Sequence, residues 1–117
     1  MHYIRVYNAD DGTTRFEDCE PSFADADFAP PAPPVEVTAA VPAREMLFIR
    51  FRAGWTDAAH PAPARQWMFV LSGRGESTAN AETRSWGPGA VFLLEDTSPP
   101  GHGTTILDDA VLAVVRC

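Results

Sequence analysis

Two short segments of the chain carry the side chains best suited to chemistry. GWTDAAHPAPARQWMFVLSG, residues 54 to 73, contains His60, Asp57 and Gln66, and AVFLLEDTSPPGHGTT, residues 90 to 105, contains Glu95, Asp96 and His102. An imidazole titrates near neutrality, so His60 and His102 are candidates for a general base or a metal ligand. Glu95 follows an apolar run, and burial there would raise its pKa into the range of a general acid or base. Plainer readings stand beside these: His60 as a turn histidine before proline, His102 in a surface turn, and Glu95 with Asp96 as caps of the turn before SPPGHG. Other routes to catalysis are weaker. Ser72 and Ser77 have no histidine and acid at an informative spacing, there is no phosphate loop, and Cys117 at the last position is a poor nucleophile.

The spacing in the first segment is specific. Gly54, five residues, His60, one residue, Ala62, three residues, Gln66, six residues and Gly73 fit the frame G-x5-H-x-H-x(3,4)-E-x6-G, and so the segment resembles the first motif of the cupin superfamily. Gly54, His60 and Gly73 match in type, whereas Ala62 stands for the second histidine and Gln66 for the glutamate. The second motif of that family, G-x5-P-x-G-x2-H-x3-N, has a looser echo from Gly89 to His102. There Glu95 replaces the proline, the turn to His102 is two residues longer, and no asparagine follows at the usual distance.

The resemblance covers residues 46 to 116 and implies a jelly-roll β-barrel. Residues i and i+2 of a strand face the same side, so on this frame His60, Ala62, Gln66, Met68, Val70, His102 and Thr104 point inward and Trp67, Phe69 and Leu71 outward. His60 and His102, with Glu95 or Gln66, would then form a site for a divalent metal of the iron, manganese, nickel or zinc type. A pocket lined by Met68, Val70 and Phe92, widened by the small Ala62, suits a small organic ligand. Trp55 near its mouth could stack on that ligand, and Arg50 could pair with an anionic group. Trp67 and Trp86 read as packing residues. An amide is a poor metal ligand beside a carboxylate, so Gln66 fits a ligand hydrogen bond better than a metal.

The elements that must position these residues are short. The chain has 117 residues, 45% of them apolar, with eleven prolines and eight glycines placed between the apolar runs. That is one domain's worth of core, built of strands and turns with no helical stripe. HYIRVY, NADDG and TTRFED read as a hairpin with a tight turn at Asp11 and Gly12. Residues 19 to 34 are rich in proline and cross the surface, pinned by Phe23 and Phe28. VEVTA, REMLFIRFRA, QWMFVLSG, ESTAN, ETRSW, AVFLLED, GTTIL and AVLAVVR each have strand length. REMLFIRFRA is apolar on both sides and is expected to be covered on both. The division is an N-terminal hairpin arm and connection, residues 1–34, packed on a barrel, residues 35–117, within one all-β domain.

A formal net charge of −7 repels phosphate backbones, which disfavours nucleic acid. Apolar runs such as WMFVL and AVFLL are too short to span a membrane, the first 20 residues are no signal peptide, and Cys19 and Cys117 form no disulfide framework. A cytoplasmic protein is expected, and the outward apolar faces call for a homodimer. Two functions stay open: a metal-dependent enzyme acting on a small organic molecule by oxygenation, isomerisation, cyclisation or lyase chemistry, and a metal-free module that binds or senses a small ligand.

Overall fold

The computed structural model describes residues 1–117. Nine strands and no helix form: β1 (Tyr3–Asn8), β2 (Thr14–Cys19), β3 (Ala24–Ala26), β4 (Val35–Val37), β5 (Glu45–Phe51), β6 (Gln66–Ala79), β7 (Glu82–Trp86), β8 (Val91–Leu94) and β9 (Gly103–Arg116). No helix is therefore long and apolar enough to cross a membrane. The all-β expectation holds. Seven strands make one mixed sheet in the order β2-β1-β8-β6-β9-β5, with β7 added to the far half of β6. The sheet curls but its edge strands β2 and β5 do not pair, so the strand ladder does not close into a barrel.

Curling is local to the two longest strands. β6 and β9 pair along most of their length, but the register slips between Val70 and Gly75, where bulges bend both strands. Gly73 sits at this bend with φ of +87°, and a Cβ there would collide with the backbone of Asp109 and Ala110. Beyond the bend Trp86 covers Gly75, and its indole N–H donates to Ser77 Oγ at 3.0 Å.

Inside the curl the pleat aligns apolar side chains in rows across strands. Leu47, Val114, Met68, Phe92 and Ile4 form one such row by their pairings, and Gln66, Leu94, Val6 and Phe16 form the next. Val6, Val70, Phe92, Ile106, Ala110 and Leu112 belong to the buried core. The N-terminal hairpin turns at Ala9–Thr13, with Gly12 at φ of +84°, and β1 pairs in parallel with β8, so the hairpin continues the sheet.

Four expectations change. β6 runs through both QWMFVLSG and ESTAN, and β9 through both GTTIL and AVLAVVR, segments expected as separate strands, because the chain passes the bend with bulges and without a turn. β5 is an edge strand, and Met46 and Phe48 on its outer side are 58% and 62% exposed, because nothing in the chain covers that side. Phe23 is half exposed and Phe28 is 75% exposed, so Phe28 does not pin the proline-rich connection. That connection holds itself by pairing β3 with β4, and β4, the VEV of VEVTA, takes no place in the main sheet.

Candidate functional site

Residues 52–63, between β5 and β6, run as a strap beside the first part of β9, whose second part pairs with β5. The strap follows β9 through bridges of Thr56 to Thr105 and His60 to His102, and through backbone bonds between Trp55 and Ile106 and from Gly54 to Ile106. Between strap and sheet lies a cavity of about 290 Å³. Leu47, Ile49 and Phe51 of β5, Met68 of β6, Phe92 of β8 and Leu112 and Val114 of β9 make its apolar walls. Trp55, Asp57, His60, Ala62, Gln66, His102, Thr104 and Arg116 supply most of the rest. Trp55 tilts against Phe51 with ring centroids 4.8 Å apart.

The two histidines meet through their backbones. His60 N–H donates to the His102 carbonyl at 3.0 Å and His102 N–H returns the bond at 3.1 Å, which brings the rings to 5.6 Å. Gly101 makes this approach achievable, since any Cβ on it would collide with the His60 carbonyl. Its own N–H donates to Oγ1 of the wholly buried Thr14 at 2.9 Å.

Each imidazole has its own aspartate, in contrasting surroundings. His60 is half exposed; its Nδ1 donates to the Pro61 carbonyl at 2.9 Å and its Nε2 to Asp57 Oδ2 at 2.6 Å. Both partners are acceptors, so both ring nitrogens carry protons in this geometry. The Pro61 carbonyl raises the His60 pKa above its ordinary value, burial opposes this in part, and Asp57 adds to the rise. Asp57 Oδ1 accepts from the Thr104 N–H at 2.7 Å. His102 is buried, and its Nδ1 donates to Asp96 Oδ2 at 2.6 Å. Asp96 is 0% exposed, its Oδ1 has no partner, and its carbonyl accepts from Ala62 N–H.

Glu95 lies elsewhere. Arg5 Nε and Arg65 Nε hold its carboxylate at 2.5 and 2.7 Å, and it does not line the cavity. Burial pushes its pKa up, but the bonds from Arg65 and Arg5 outweigh burial and hold it below the ordinary carboxylate value. This is the reverse of the raised value expected of a general acid. The reason is the pleat: Phe92 and Leu94 face the cavity, so Glu95 faces away and Asp96 comes back to the inner side. The sequence contained that signal, because Asp96 is in phase with Phe92. Arg50 is also off the cavity, exposed on the outer side of β5 opposite Val111. Val70 lies buried in the core beside the cavity and does not line it. Met68, Phe92, Gln66 and Trp55 do line it.

The expected metal ligands do not make a metal site. His60 has both nitrogens committed as donors, Gln66 Oε1 faces Arg116 Nε at 3.4 Å, Glu95 is held by two arginines, and Ala62 has no donor. Of the expected ligands only His102 keeps an atom able to bind a metal without a protein partner, its Nε2, and no three His, Cys, Asp or Glu side chains converge. One nitrogen does not hold a divalent ion.

No protein-family model matches the sequence, and no curated protein matches it. Solved structures do match. KdgF from Halomonas sp. superposes with a TM-score of 0.50 at 19% identity, over 80% of this chain and 86% of that one. The chain has a cupin fold. The cupin domain of Schizosaccharomyces pombe Cnp3 matches over 99% of this chain and 88% of that one, at 14% identity and a TM-score of 0.47. An RmlC-like cupin protein from Desulfovibrio desulfuricans matches over 61% and 69%, at 24% identity and a TM-score of 0.46.

Proposed function

We propose that this cupin domain binds a small, largely apolar organic molecule in the cavity under the strap, without a metal ion. The observation that carries the reading is the cavity itself: about 290 Å³ of space walled mostly by aliphatic and aromatic side chains, with a few polar groups such as Asp57, His60, Gln66 and His102 among them. That is the composition of a small-molecule site. A core that served stability alone would be filled, since a void of this size forfeits packing. The enzyme and the sensor remain the two uses of such a site, and any chemistry would run through His102, the imidazole with a free ring nitrogen.

The test is a titration with toluene, a compact apolar probe, followed by the fluorescence of Trp55 and Trp86, both on the cavity wall. Saturable binding that disappears in Ala62→Phe, a variant that fills the cavity, is expected. Failure of toluene to bind, or binding that survives the filled cavity, overturns the reading.

A homodimer is proposed as the assembly. β5 leaves one edge unpaired and exposes Met46 and Phe48, and two copies related by a twofold axis can cover these residues mutually. Light scattering is expected to give a dimer for the wild type and a monomer for Phe48→Glu; a monomeric wild type sinks this assembly.

A further inference from the structure

The polar groups of the cavity are more specific than its apolar walls, and the hydrogen bonds they already make say what is missing. His102 Nδ1 bonds Asp96 Oδ2, which orients the ring and leaves Nε2 without a protein partner, an acceptor when the ring is neutral. Arg116 has donors only, so its bond to Gln66 fixes the amide oxygen toward the arginine and turns the amide NH2 the other way. That NH2 has no protein partner although Gln66 is only 5% exposed and lines the cavity. One acceptor and one donor are thus left open on the cavity wall.

Gln66 pairs with Leu94, His102 is bonded to Asp96 two residues further along the chain, and both side chains line the cavity. Two neighbouring oxygens on one ligand suit an acceptor and a donor on the same wall. Charge narrows the ligand further. Arg116 is paired with Glu45 at 2.8 Å and His60 with Asp57, so the cavity offers no unpaired cation to an anion.

We propose that the cavity recognises a neutral hydroxyl next to a second oxygen, as in a catechol or an enol beside a carbonyl. His102 Nε2 accepts from the hydroxyl and the Gln66 amide donates to its neighbour. This rests on the cavity being a ligand site.

The experiment compares catechol with hydroquinone, which has the same composition but separates its two hydroxyls, and uses toluene as the apolar control, all without oxygen. Catechol is expected to bind about tenfold tighter than hydroquinone, the worth of one to two net hydrogen bonds. Gln66→Leu and His102→Leu should each erase that preference while toluene binding persists. Because His102→Leu removes the partner of buried Asp96 and can impair folding, the His102 Nε2 nitrogen resonance in the wild type gives a second readout. It should shift on adding catechol and stay in place on adding toluene. If toluene binds but catechol has no advantage over hydroquinone, or keeps it in Gln66→Leu, the head-group assignment is overturned and the cavity reading stands. If none of the three probes binds, both fall.

Discussion

The pairs His60–Asp57 and His102–Asp96 have the same chemical groups and the same 2.6 Å separation, yet different consequences. Around His60 every polar atom is used: Asp57 takes a ring proton and a backbone N–H, and the other ring proton goes to Pro61. The pair is half open to water and works as a clasp for the strap. Around His102 the aspartate is fully buried, one of its oxygens has no partner, and the ring's second nitrogen is left open. A hydrogen bond stabilises little where water can replace it and much where water cannot. The first pair is saturated, and the second keeps open hydrogen-bonding capacity, on which its proposed role as a site rests.

The largest expected effect is therefore at Asp96. Asp96→Ala leaves the His102 Nδ1–H buried without an acceptor and opens a small void, and it should cost about 3 kcal/mol in chemical denaturation. A loss as small as that of a surface substitution would remove the contrast between the pairs. Asp57→Ala comes next, at about 1.5 kcal/mol, since it frees the Thr104 N–H and one His60 proton at a site that water can reach. The strap amides at residues 54 to 62 should then exchange hydrogen faster, while those of β8 keep their protection.

A smaller effect sharpens the comparison through pH. The folded pKa of His60 is raised, so its contribution to stability is fully present below its ordinary value near 6.5 and is lost as pH rises through the raised value. With the side chain about half exposed, solvent screening keeps this loss smaller than that of Asp57→Ala, and it appears as pH rises above about 6.5. The slope should vanish in His60→Ala; a slope that persists assigns it to other groups. The smallest expected effect is none. Elemental analysis of untagged wild-type, His60→Ala and His102→Ala proteins should give the same metal content, because neither histidine belongs to a converging ligand set. Near-stoichiometric metal that disappears in both variants would restore a shared metal centre.

Much of the strand content was legible, because period-two patterns and Gly or Pro breaks are local signals: the hairpin at Asp11 and Gly12, β5 and β8 fall where they do for that reason, whereas β6 and β9 each join two segments that read as separate strands, because a bulge carries the ladder past the break. The places of His60, Gln66, Met68 and Phe92 on one cavity were legible from the motif frame. Glu95 was misplaced because it was judged by its position at a strand end, whereas strand parity puts Asp96 on the inner side. Arg50 lies off the cavity for a related cause: the apolar pattern of β5 reads as covered on both sides, and whether a second layer exists is not written in the strand.

Residue type and near-neighbour spacing settle the strand-and-turn architecture and the placing of His60, Ala62 and Gln66 on the frame of the first motif. Only the tertiary structure decided which aspartate serves which histidine and which ring nitrogen stays free. Those outcomes depend on the register of β8 against β6 and on the strap's path beside β9, contacts between residues far apart in the chain whose geometry exists only after the sheet has curled.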